Sequence, residues 1–168
     1  MGANADLMIR EVGEADAGSI CSIYNHYIAN SIITFEESPV TVEEMTGRIR
    51  EISAALPWYV CQRGGDLLGY AYASPWKSRC AYRYSAETTI YLTPDATGRG
   101  IGKALYGKLL DSLRARSFHN AIGGVALPND ASVALHESLG FEKVAHFMQV
   151  GWKFGKWIDV GYWEIVFE

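Results

Sequence analysis

Three glycines at alternate positions, Gly98, Gly100 and Gly102, lie between a β-rich run and an apolar helical repeat. Glycines so placed let successive backbone N–H groups approach a ligand, and the helix N-terminus behind them adds positive potential. The chemistry is that of an anion cradle. Between Thr97 and Arg116 five basic residues (Arg99, Lys103, Lys108, Arg114, Arg116) face one acid, Asp111. That balance fits a polyanionic small molecule; a solvated helix face is the competing reading. Two familiar phosphate motifs fail on spacing. Counting back from Gly102-Lys103, the nucleotide-hydrolase loop would need Gly where Thr97 stands and Ser or Thr where Ala104 stands. The dinucleotide fingerprint needs GxGxxG followed by an acid about twenty residues on, and the region around Ile122 has none.

The elements that position this cradle are readable from periodicity. Thr88, Thr89, Ile90 and Tyr91 favour a strand, and Pro94-Asp95 breaks it. Ile101, Leu105, Leu109 and Leu113 then recur on one helix face. Upstream, Met8 to Val12 reads as a strand and Ala15 to Ile28 as a helix. Ser31 to Ser38 is a loop displaying Phe35, and Thr41 with Glu44 forms a capping box for a helix to Ile52. Trp58 to Gln62 and Leu67 to Ala73 flank Gly64-Gly65-Asp66 as a hairpin. Trp76 to Tyr84 is a polar, basic, aromatic segment. Ala121 to Leu127 is a strand, Pro128-Asn129-Asp130 starts a helix over Ala131 to Leu139, and Gly140 stops it. Val144 to Trp152 and Tyr162 to Phe167 are expected to close the chain as an antiparallel pair around Phe154 to Gly161. Met1 to Asp6 reads as a short mobile tail on one domain spanning residues 1–168.

With Gly100 and Gly102 matching, the stretch from Thr97 resembles the acetyl-coenzyme A loop of the GNAT superfamily of acetyltransferases, Gln/Arg-x-x-Gly-x-Gly/Ala. Thr97 departs from its first position. Asn129 to Phe141 resembles the second block of that family, with Asn129, Leu135, Glu137, Gly140 and Phe141 in register and His136 where Tyr is usual. His there is similar to the phosphinothricin and methionine sulfoximine acetyltransferases. So are Tyr24-Asn25-His26-Tyr27-Ile28 with Thr34-Phe35, Pro75-Trp76-Lys77-Ser78-Arg79, Ala86 to Tyr91, Leu127 to Asp130 and Trp157 to Trp163. The resemblance implies an α/β (α+β) GNAT fold, a mixed, mostly antiparallel sheet flanked by helices on both faces. It implies acetyl-CoA as co-substrate, with no metal.

The roles the resemblance implies are these. Ile90, Tyr91 and Leu92 lend backbone groups to the acetyl and pantetheine arm. Gly98, Arg99, Gly100, Ile101, Gly102 and Lys103 hold the pyrophosphate, and Asn129 and Ser138 contact the cofactor; Asn129 also reads as a helix cap. Attack on a thioester needs a neutral amine, yet an alkyl amine of pKa ~10.4 is less than a thousandth neutral at pH 7. A general base is required, and Glu87 is the candidate. Its competing reading is a solvated Glu, or an ion pair with Arg79 or Arg83. His136 is the second catalytic candidate, relaying a proton with Glu87 or protonating the thiolate; Tyr91 and Tyr106 are alternatives, and a satisfied half-buried histidine is the dull reading. For an acidic acceptor, Lys77, Ser78, Arg79, Tyr82 and Arg83 are expected to bind the anion, with Phe35, Glu87, Thr88 and Thr89 completing the pocket.

Composition bounds the alternatives. A net charge of −4 argues against a non-specific nucleic-acid binder. No apolar run is long enough to span a membrane, and no basic-then-apolar leader opens the chain. Cys21, Cys61 and Cys80 form no CxxC pair, so neither a disulfide framework nor a metal site is expected, and a reducing cytoplasm is the simplest setting. Lys153 to Trp157 are expected to reach the acceptor pocket, from a neighbouring subunit, and the aromatic C-terminal region makes a homodimer the expected assembly. The reading is therefore an N-acetyltransferase for the amine of a small amino-acid-like acid, by direct transfer in a ternary complex. Its rivals are acetylation of a peptide N-terminus, polyamine or aminoglycoside, and a non-catalytic acyl-CoA sensor.

Overall fold

The computed structural model describes residues 7–168; the tail expected over Met1 to Asp6 falls outside them. Four helices and seven strands alternate as β1 (Met8–Glu11), α1 (Ala17–Asn30), α2 (Val42–Ser53), β2 (Trp58–Arg63), β3 (Asp66–Pro75), β4 (Ser85–Leu92), α3 (Ile101–Ala115), β5 (Asn120–Leu127), α4 (Asp130–Ser138), β6 (Glu142–Lys153) and β7 (Lys156–Val166). The strands form one sheet in the order β1-β2-β3-β4-β5-β7-β6. Every neighbouring pair is antiparallel except β4 with β5. The expected α/β fold with a mixed, mostly antiparallel sheet is the one observed.

Helix α3 carries the four-residue repeat into the core. Ile101 is 2% exposed, and Leu105, Leu109 and Leu113 are fully buried against Ala71, Ala73, Ala86 and Ala121 of the sheet. Small residues on the strands let the helix sit close, and each buried leucine contributes about 1.5–3 kcal/mol. The opposite face is covered by α1 and α2, whose Ile20, Ile23, Met45 and Ile49 pack on Trp58, Val60 and Tyr70. Helix α2 starts at the expected capping box. The Glu44 N–H donates to Thr41 Oγ1 at 3.2 Å, and the Thr41 N–H donates to Glu44 Oε2 at 2.7 Å.

The last hairpin differs from expectation. Its turn is Phe154-Gly155 alone, with φ of 51° and 72°, so Trp157 to Gly161 belong to β7 and pair with β5 and β6. Two consecutive left-handed residues match the twist of a two-residue hairpin. The mixed polar and aromatic pattern of Lys156 to Gly161 hides a strand that pairs with β6 from Lys156 and with β5 from Asp159. Strand β6 is also irregular: between Phe147↔Val160 and Gly151↔Ile158 three of its residues face one of β7. Gln149 there has φ of 53°, and its N–H donates to Asp159 Oδ1 at 2.8 Å.

Candidate active site

The parallel ladder between β4 and β5 lasts three residues, Ser85↔Asn120, Ala86↔Ala121 and Glu87↔Ile122, and then the strands part. Beyond Glu87 the β5-facing side of β4 has no strand partner. A cavity of about 610 Å³ opens in the wedge, between Glu87–Tyr91 on one side and Gly124–Ala126 on the other. It lies in the range of small-molecule sites. A second groove of about 440 Å³ continues from it along the α3 and α4 N-termini. Ile33, Ile90, Tyr91, Asn129 and Ser132 border both, so a ligand in the groove can present one end to the cavity.

The groove is made chiefly of backbone. Gly98 and Gly100 adopt φ of 71° and 77°, a region that favours glycine. None of the N–H groups from Gly98 to Lys103 donates to a backbone acceptor among the described residues. Gly102 serves a different purpose: a Cβ there would stand 3.3 Å from Leu92 and 3.4 Å from Leu135, so its absence lets α3 approach β4 and α4. Gly98, Gly100, Gly102, Lys103, Ile90, Tyr91, Leu92, Asn129 and Ser138 all border the groove. Two expected members do not. Arg99 is exposed and outside the lining, and the Ile101 side chain is buried in the core, which leaves only its backbone N–H for a ligand. Thr97 also borders the groove, with its hydroxyl turned back to the Pro94 carbonyl at 2.8 Å. Asn129 caps α4, its Oδ1 accepting from the Ser132 N–H at 3.1 Å. That assignment leaves the Nδ2 donors for the ligand side.

Glu87 borders the cavity where the strands part. Burial lifts its carboxyl above the usual carboxylate range, and the charge of Lys77 offsets part of that rise. An ion pair with Arg79 or Arg83 is not formed among the described residues: Arg83 donates to the Cys80 carbonyl at 3.1 Å and lies over the Tyr84 ring. His136 is 3% exposed and also borders the cavity. Its Nδ1 lies 2.7 Å from the Ser132 carbonyl, which fixes the proton there. Nε2 is then an acceptor, 3.0 Å from the Tyr106 hydroxyl, which in turn stands 2.6 Å from Thr88 Oγ1. Donors therefore run from Thr88 to Tyr106 to His136 to Ser132, and no direct hydrogen bond joins His136 to Glu87 among the described residues. Burial holds the imidazole below its ordinary pKa and pushes the Tyr106 phenol well up, so both are neutral near pH 7. Burial raises the Tyr91 phenol as well, leaving it a poor acid.

Of the residues expected to meet the acceptor, Phe35, Glu87, Thr88 and Thr89 line the cavity. Lys77, Ser78, Arg79, Tyr82 and Arg83 do not; they are exposed around a short turn at Cys80–Tyr82, with the Lys77 ammonium 4.7 Å above the Trp76 ring. Charge pattern gave their sign but not their direction. Thr34, Gly124, Gly151, Trp152, Val160 and Tyr162 line the cavity and were not anticipated. Most lie on the last hairpin, whose β7 start was not readable.

Residues 9–161 match the model of the acetyltransferase (GNAT) domain. The chain is 39% identical over 160 residues to a phosphinothricin N-acetyltransferase of Streptomyces viridochromogenes, covering 95% of this chain and 87% of that protein. It is 32% identical to an L-methionine sulfoximine/L-methionine sulfone acetyltransferase of Salmonella typhimurium, covering 95% and 94%. Among solved structures, a phosphinothricin acetyltransferase from Sinorhizobium meliloti in complex with acetyl-CoA superposes with a TM-score of 0.92 at 36% identity, covering 95% and 88%. The wedge between β4 and β5 and the glycine cradle thus have their setting: the chain belongs to the GNAT acetyltransferases, enzymes whose co-substrate is acetyl-CoA.

Proposed function

We propose that the enzyme acetylates the α-amine of a small amino-acid-like acid of the phosphinothricin, methionine sulfoximine or methionine sulfone type. The observation that carries this reading is Glu87: a half-buried carboxylate lining the cavity at the point where β4 and β5 part. The relatives named above act on acids of this type. Acetyl-CoA lies along the groove, its pyrophosphate at the N–H groups of Gly98 to Lys103 and its arm beside Ile90 to Leu92, with Asn129 donating from Nδ2. Its thioester supplies the acyl group at the shared border. The acceptor enters the cavity as an ammonium, and Glu87 removes the proton, its raised pKa bringing it nearer the working pH. The free amine attacks the thioester carbonyl, the C–S bond breaks, and the thiolate takes a proton from solvent. His136 borders the cavity as a neutral group: its Nε2 already accepts from Tyr106, and in the tautomer these contacts assign it has no free proton for the thiolate. No Lys or Arg side chain lines the cavity. The acceptor's anionic group therefore points to the rim, where Lys77 is close enough to be felt at Glu87 and Arg79 is exposed.

Acetylation converts the amine of such toxic analogues into a neutral amide, which would confer resistance on a host. Three free cysteines, Cys21 and Cys61 buried and Cys80 exposed, suit a cytoplasmic setting. Phe147, Met148, Val150 and Trp152 on the edge strand β6 and Trp157 on β7 leave the terminal hairpin with exposed apolar side chains. A second copy of the chain is the partner we assign to it.

The test is thiol release from acetyl-CoA across phosphinothricin, methionine sulfone, a polyamine, an aminoglycoside and an N-terminal peptide, with sedimentation run on the same sample. Highest kcat/KM for the acidic amino acids, on a dimer, is expected. A polyamine or aminoglycoside as best acceptor would overturn the substrate class. Acetyl-CoA binding with no turnover on any amine would make the protein a sensor.

A further inference from the structure

Lys153 ends β6 and is 2% exposed, yet no ion pair engages it among the described residues. A buried ammonium is costly unless hydrogen-bonded. Its Nζ donates to the Thr34 carbonyl at 2.7 Å, across 119 residues of chain, and rests 5.0 Å from the Phe154 ring. Burial lowers its pKa, partly offset by Glu37. Thr34 is held from a second side by Tyr24, hydroxyl to hydroxyl at 2.8 Å. The next residue, Phe35, lies over Gly151 so closely that a Cβ on that glycine would meet its ring at 2.1 Å. Thr34, Phe35, Gly151 and Trp152 all face the cavity. One charged hydrogen bond and one ring seated on a glycine thus join two remote segments into a single wall.

We propose that Lys153 is a positioning residue for the acceptor: by holding the Thr34 carbonyl it keeps Phe35 seated on Gly151 and sets the depth of the cavity. The inference rests on the reading of this cavity as the acceptor site. A hydrogen bond from a charged donor is among the stronger ones, and no neutral side chain of similar length replaces it. The glycine groove lies on the other side of Tyr91 and Asn129 and shares none of these contacts.

Steady-state kinetics of Lys153→Met, Gly151→Ala and Phe35→Ala, with methionine sulfone as acceptor and thermal melting as control, test the proposal. Lys153→Met is expected to raise the acceptor KM about ten-fold while the KM for acetyl-CoA stays within about two-fold. Gly151→Ala, which displaces Phe35 without touching the charge, should give the same split, and it keeps the test alive if Lys153→Met does not fold. Phe35→Ala should raise the acceptor KM as well. An unchanged acceptor KM in folded Lys153→Met or Gly151→Ala, with Phe35→Ala raised, overturns the clamp alone. Both KM values rising together also overturns it, because general loosening would do that. If all three variants keep the parent acceptor KM, the cavity is not the acceptor site and the clamp falls with it.

Discussion

From Gly98 to Lys103 six consecutive N–H groups have no backbone acceptor among the described residues, and four of the six residues line the groove, whereas one wall of the adjoining cavity is tied together by Lys153 and Thr34, 119 positions apart. The groove is local and nearly indifferent to side chains; what it requires is a chain able to adopt φ near +75° and a helix start behind it. The cavity depends on side chains: Glu87 and Thr88 come from β4, Phe35 from the loop between α1 and α2, and Trp152 from β6, and a glycine matters there for what leans on it. Within one superfamily a common cofactor can therefore be kept by local backbone while acceptors vary through distant side chains.

Substitutions can break this contrast. The largest effect is expected at Glu87. Glu87→Gln should lower kcat about 10²–10⁴-fold and abolish the acid limb of the pH–rate profile, which in the parent lies above the ordinary carboxylate range. Stability should move the other way. A carboxyl whose folded pKa is raised stabilises the fold while protonated, and that contribution is lost as pH rises through the folded value. Glu87→Gln should thus melt above the parent at pH 8, with the gap closing toward pH 4. An unchanged pH profile would remove Glu87 as the base.

A smaller effect is expected in the groove, and there it should follow backbone rather than charge. Gly100→Ala forces a Cβ into a left-handed conformation costing about 1–2 kcal/mol. It should raise the KM for acetyl-CoA about ten-fold and leave the acceptor KM unchanged. Thr97→Arg, which restores the residue type usual at that loop position, adds an exposed charge near a helix end. Such interactions are worth ~0.3–1 kcal/mol, so KM for acetyl-CoA should fall by no more than about five-fold. A larger response to Thr97→Arg than to Gly100→Ala would mean that side chains hold the cofactor.

The same contrast explains what was legible. The α3 repeat, the Thr41 capping box and the glycine spacing are short-range signals, and each lies where periodicity and turn chemistry put it. Glu87 was readable because it begins a β-rich run, and the run is β4. The basic segment from Lys77 to Arg83 lies outside the cavity lining, a placement composition could not give because it carries no direction. Gly151 carried no signal at all: its value lies in the Phe35 ring above it. Tyr106 is expected from the sequence as an alternative acid and Thr88 as a pocket residue, and only the fold joins the two in a hydrogen-bonded line that ends on His136 Nε2.

The parting of β4 from β5 has a thermodynamic consequence. A sheet normally satisfies its own peptide groups, and here it stops doing so in mid-strand. Beyond Glu87 that edge of β4 is open to a ligand instead. Folding and cofactor occupancy are then linked equilibria: at a hundred times Kd, acetyl-CoA adds about 2.7 kcal/mol to the free energy of unfolding. The seam that makes room for catalysis also ties the enzyme's lifetime in the cell to the supply of its acyl donor.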